Sequence, residues 1–233
     1  MTASAPIVAT MLELVQDSPF LAQGGLIVAL IGLASLVAAA VFFARLAVLR
    51  IERVVPRRLN HAIRDLVVRE QFTEALTLCR MEEGPLARLY LSGLRNRARS
   101  RELIKERMLE VGRHEAIVLS RGLPVLDVVA VISPLLGLLG PVWGMIAVFR
   151  AIEIHGVGNA GALAGGIETA LYTTFAGLLV AIPTRVAHSF LQSRVDRLIV
   201  ALEELALELL ELLDSGREAN LDASEPAAGS LAE

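Results

Sequence analysis

The residues best suited to polar chemistry in this 233-residue chain stand in an apolar stretch toward its C-terminal end. Read as a helix at 100° per residue, residues 162–190 place Gly166, Thr169, Thr173, Gly177 and Thr184 within an arc of about 80°, shared with the larger Val180. Ala170, Ala181 and Thr174 widen this small-residue face to about 140°, with Thr174 at its edge. Leu171, Phe175, Leu178, Leu179 and Ile182 fill the other side. Hydroxyls in such a stripe can bond backbone carbonyls inside a tight helix contact, or line a polar path for an ion. The pattern by itself allows both. An earlier apolar stretch carries Gly137, Gly140 and Gly144 at helical spacing, the last two as a GxxxG pair. Without a hydrophobic drive between helices in lipid, small residues that permit close backbone approach mark a packing face.

The titratable groups near these stretches are few. Glu168 falls in the first turn of the expected third helix, where the helix dipole favours an anion. Capping, interfacial placement and a role in proton entry all remain open to it. Asp127 borders a charge-free run and is expected to be interfacial and solvated. His155 and His188 are expected at the interface and have no metal-ligand neighbours. Cys79 is the single cysteine, which excludes an internal disulfide and a thiolate metal cluster and suits a small buried hydrophobe. No P-loop, dinucleotide fingerprint, metal motif or Ser/His/Asp arrangement is present, so neither an enzyme nor a cofactor is expected.

The elements that must hold these residues are membrane spans. Apolar residues make up 55% of the chain, above the share ordinary soluble domains carry, and the charges are segregated rather than spread. Residues 18–44 and 128–149 contain no Asp, Glu, Lys or Arg, and 162–184 contains only Glu168. About 20 apolar residues cross a bilayer, so three transmembrane helices are expected, over 22–44, 122–149 and 162–190. Pro134, Pro141 and Pro183 are compatible with helices in lipid, where neighbouring helices re-satisfy freed backbone groups. Residues 1–21 lack the basic start of a signal peptide, so the first span is expected to be retained, after a short amphipathic helix over 6–17.

Residues 45–121 hold 17 of the 22 Lys and Arg residues against ten acidic ones. The positive-inside bias therefore puts 1–21 in the periplasm, 45–121 in the cytoplasm, the 150–161 loop outside and the C-terminus inside. Topology accounts for the basic region, so contact with anionic lipid is expected and nucleic-acid binding is not. Val55-Pro56 predicts a bend, Glu83-Gly84-Pro85 a turn, and residues 101–120 a helix running into the second span. Leu191, Val195, Leu198, Leu202, Leu205, Leu209 and Leu212 follow a 4-3 spacing over 191–214, a heptad seam for packing within the chain or between copies. Residues 215–233, rich in Ala, Glu, Gly, Ser and Pro, are expected to be disordered. The fold class is thus an all-α inner-membrane protein with three spans and extended cytoplasmic helices.

The segments PLLGLLGPVWGMI (134–146) and GIETALYTTFAGL (166–178), followed by Ala181-Ile182-Pro183, resemble the two signature helices of the MotA/TolQ/ExbB proton-channel family. The resemblance runs from about Leu123 to Phe190, and three spans with an outside N-terminus match its ExbB/TolQ branch. It implies a homopentameric wall around two helices of a single-span ExbD- or TolR-like partner that brings a membrane Asp. It further implies conversion of proton-motive force into movement of that partner, with a TonB- or TolA-like periplasmic effector beyond it. On this reading Thr169, Thr173, Thr174, Thr184, Glu168 and Pro141 are pore or proton-path positions, and Gly137, Gly140, Gly144, Gly166 and Gly177 are packing positions. Two departures stand out: Pro141 replaces the family's Thr, and Thr169 replaces its third-span Glu, with Glu168 one residue earlier. A non-conducting scaffold of the same fold is the alternative.

Overall fold

The structure, a computed structural model, describes residues 19–156 and 160–224. The expected amphipathic helix over 6–17 and the last nine residues of the tail lie outside them. Every described element is a helix: α1 (Pro19–Val48), α2 (Ile51–Val54), α3 (Arg57–Val68), α4 (Phe72–Met81), α5 (Pro85–Arg95), α6 (Arg101–Ser120), α7 (Leu123–His155) and α8 (Ala160–Ser224). Three are long and apolar enough to cross a membrane, over Gly25–Val48, Leu123–Ile154 and Ala164–Gly216. The chain divides into two compact units. One takes the residues up to Ala44 with Gly122–Phe190, the other Arg45–Arg121 with the residues from Leu191 onward.

In the first unit, apolar side chains cover the outside. Leu33, Leu36 and Phe43 of α1 and Leu135, Leu138, Val142 and Trp143 of α7 are each more than half exposed. A surface of that extent needs acyl chains or other helices against it. Pro134 and Pro141 lie inside α7 and Pro183 inside α8, so none of the three ends its helix.

The second unit has a conventional buried core. Leu59, Ile63 and Val67 form the inner face of α3 at four-residue spacing, and α3 to α6 pack each on the next. Side-chain size sets how closely they approach: a methyl added at Gly93 of α5 would lie 2.8 Å from Met108 Sδ of α6 and 3.2 Å from Leu209 Cδ2 of α8. Leu191, Val195, Leu198, Leu202 and Leu209 are buried within this unit, with Leu205 and Leu212 half-buried. Five of the seven heptad side chains are thus buried by packing within this unit of the single chain. Ion pairs Arg64–Glu208 and Arg101–Asp214, the latter at 2.8 Å, fix the same segment.

Two expectations need correction. Helix α6 does not run on into the second span: it ends at Ser120, Gly122 takes a left-handed conformation (φ 86°), and α7 begins at Leu123 with Pro124 in its first turn. A left-handed glycine is a common helix stop, and proline suits a helix start because its missing N–H would have no partner there. Helix α8 continues to Ser224, where disorder was expected from residue 215. No proline interrupts the chain between Pro183 and Pro226, and Arg217, Glu218, Ala219, Leu221 and Ala223 are good helix formers that carry the helix through the weaker Gly216, Asn220 and Asp222.

Burial governs the two unusual polar groups of this unit. Glu115 is 1% exposed and accepts two hydrogen bonds from the Arg88 guanidinium, at 2.5 and 2.7 Å. That carboxylate holds the Arg88 proton more firmly than usual, hydrogen bonding outweighing burial. Burial pushes the Cys79 thiol up to about 11 from 9.0. A thiol raised in the folded state stabilises the fold fully below its unfolded value, and that contribution is lost as pH climbs through the folded one. We expect no maleimide labelling of the native protein at pH 7.5, complete labelling after denaturation, and falling stability between about pH 9 and pH 11. Rapid labelling of the native protein would show that Cys79 is accessible.

Candidate functional site: the contact between the second and third spans

Helices α7 and α8 meet through glycine. Both helices show a run of small residues because their backbones nearly touch. A methyl at Gly144 would sit 2.6 Å from Gly166 O, at Gly140 1.5 Å from Thr173 Oγ1, at Gly137 3.0 Å from Thr173 O, and at Gly177 2.6 Å from Ser133 O. Later residues of α8 face earlier residues of α7 throughout, which defines one antiparallel register. The exposed Asp127–Arg185 ion pair continues that register toward the start of α7. The structure brings together the five glycines singled out above, with Gly166 set against Val148.

The threonines divide. Thr173 is 1% exposed and Thr184 is 7% exposed. The arc of Gly166, Thr173 and Gly177 is the contact face toward α7, so within the chain it is closed rather than open as a polar path. Each hydroxyl bonds backbone: Thr169 to Gly165 O at 2.9 Å, Thr173 to Ala170 O at 2.9 Å, and Thr184 to Val180 O at 2.7 Å. Such back-bonding satisfies a hydroxyl in lipid without a partner helix. Thr169, Thr174 and Pro141 are half-buried at the margins of the contact, and Glu168 is exposed.

Glu168 does not occupy a helix start. Because α8 begins at Ala160, Glu168 is two turns in. It neighbours Gly166, which meets Gly144, and Gly144 lies six residues before Arg150, about 9 Å along the helix axis. Glu168 is the only acidic residue within residues 162–190.

Thr174 does more than back-bond. Its Oγ1 lies 3.1 Å from Ala170 O and 3.2 Å from Gly137 O on the other helix. Gly137 O is the carbonyl that the N–H of residue 141 would normally serve, and proline has none to give. Thr174 thus reaches across the contact to the acceptor that Pro141 leaves open. The freed carbonyl could be read from a proline four residues after a glycine; its partner could not. We expect Thr174→Val to cost about 1–2 kcal/mol with Pro141 present and almost nothing with Pro141→Ala, which restores the N–H. A double-mutant cycle on thermal unfolding in detergent measures this, and additive effects would break the link.

This geometry defines a class: a polytopic helical membrane protein with two spans locked by small residues and polar groups left at the margins. Residues 81–204 match the model of the MotA/TolQ/ExbB proton channel family, more than half of the chain, and the chain belongs to that family. It is 38% identical over 117 residues to the Biopolymer transport protein exbB1 of Vibrio cholerae, covering 50% of each chain. It is 34% identical over 124 residues to the Biopolymer transport protein ExbB of Salmonella typhimurium, covering 53% of this chain and 48% of that one. It is 37% identical over 81 residues to the Tol-Pal system protein TolQ of Pseudomonas aeruginosa, covering 35% of each. The chain spans about half the length of the first two of these relatives. The family is one of channels that transduce energy, and its members are not enzymes.

Proposed function

We propose that the chain is a wall-forming subunit of a complex driven by proton-motive force, working with a single-span ExbD- or TolR-like partner. The observation that carries this reading is the glycine-locked α7–α8 pair, which leaves Thr169, Thr174 and Pro141 at the margins of the closed contact and Glu168 exposed. Several copies, five by family resemblance, would enclose the partner's helices, with exposed apolar faces of the spans meeting lipid and neighbouring copies. The partner supplies the membrane Asp whose protonation couples ion flow to movement, and a TonB- or TolA-like protein would carry that movement outward. The N-terminus lies in the periplasm and the basic unit in the cytoplasm, as the charge asymmetry favours, and the complex sits in the inner membrane.

A second reading rests on Pro141, which offers no hydroxyl where the family has one: a non-conducting scaffold of the same fold. Proton flux into proteoliposomes holding the chain co-purified with its partner separates the two. Flux that disappears when the partner's membrane Asp becomes Asn supports the stator. Equal absence of flux in both, from an intact and unplugged complex, leaves the scaffold.

A further inference from the structure

The first span opens into a segment with an unusual charge balance. Residues 45–58 contain five arginines, Arg45, Arg50, Arg53, Arg57 and Arg58, against the single acid Glu52. Among the described residues none of the five makes an ion pair; Arg64, Arg88, Arg101 and Arg107 further along are each matched to a carboxylate. Arg69, Arg80 and Arg95 are also unmatched, so what sets residues 45–58 apart is five arginines within fourteen residues. The segment is nevertheless held in place. Leu49, Val54 and Leu59 are buried in the second unit at 0, 2 and 5% exposure, which fixes α2 and the start of α3 while Arg50, Arg53, Arg57 and Arg58 stay outside that core. Ile51, on the same short helix, is 59% exposed. Unmatched guanidiniums beside an exposed aliphatic side chain, directly after a span, suit the boundary between headgroups and acyl chains. Guanidinium binds phosphate oxygens in pairs, more specifically than a point charge does.

We propose that residues 45–58 form a binding platform for the phosphate headgroups of anionic phospholipids, anchoring the second unit to the membrane surface. The platform does not depend on proton conduction, and its test needs neither partner nor flux. The full chain is purified in detergent from membranes containing phosphatidylglycerol and cardiolipin, and the retained lipid is measured by mass spectrometry. Arg53→Gln/Arg57→Gln should lower the ratio of anionic to zwitterionic lipid at least fivefold, with an unchanged elution profile. Arg69→Gln/Arg95→Gln removes the same charge elsewhere in the unit and should leave the ratio near the wild-type value. Arg53→Lys/Arg57→Lys should keep an intermediate ratio. An unchanged ratio in the first variant, or an equal fall in the first two, would overturn the proposal.

Discussion

Gly140→Ala should abolish stable assembly of the membrane unit, lowering its stability by about 3 kcal/mol or more in detergent. The added methyl would lie 1.5 Å from Thr173 Oγ1 and 2.4 Å from Thr173 Cβ, inside any tolerable contact. Thr173 has no easy retreat: it is β-branched, its χ1 is restricted in a helix, and it is 1% exposed. The helices must therefore separate along a face whose neighbouring contacts also depend on touching backbones. Gly165→Ala is the matched control, since a methyl there meets nothing within 4 Å in the chain and alanine favours a helix by about 1 kcal/mol. Thr173→Gly added to Gly140→Ala should recover part of the loss by opening the space the methyl needs. Thermal unfolding and size-exclusion profiles of the four proteins decide this. Equal damage from Gly165→Ala would mean that crowding against Thr173 is not the cause.

The glycine spacing on both stretches makes this contact legible in the sequence, because a GxxxG run in apolar surroundings has little other use. Which face of the third span it engages is not legible there. The small-residue arc admits either a helix contact or a polar lumen, and only the position of α7 shows that Thr173 belongs to the contact while Thr174 lies at its margin. Similar reasoning applies to the tail. The 4-3 leucine pattern announces a buried stripe, but periodicity cannot distinguish a partner helix of the same chain from one of another copy. The break at Gly122 could have been found, since a glycine two residues before a proline is a helix stop followed by a start. The Arg88–Glu115 pair could not, because 27 residues separate the two and neither stands in a motif.

That pair carries the second large effect, and its signature is asymmetry. Arg88→Ala should destabilise the unit formed by Arg45–Arg121 and the residues from Leu191 on by about 2–3 kcal/mol, because it strands a buried carboxylate. The Glu115 side chain is 2% exposed, so water replaces the lost guanidinium poorly. The Arg88 side chain is 52% exposed, which keeps the loss below the range for a fully enclosed pair. Glu115→Gln should cost less, about 1 kcal/mol, because the guanidinium it frees is already largely in water and the amide keeps the shape. Replacing both, as Arg88→Met/Glu115→Leu, should restore most of the stability lost in Arg88→Ala, since no buried charge then remains. Denaturation of the four proteins in mild detergent, followed by helical circular dichroism and Cys79 labelling, reports on the unit that contains the pair. If Arg88→Ala and Glu115→Gln were equally mild, Glu115 would be hydrated in solution. If the double apolar variant were the least stable, the pair would hold α5 on α6 by its own attraction. The expected order places Arg88 as the group that permits an acid in this core, leaving the apolar contacts of α5 and α6 to supply the binding between them.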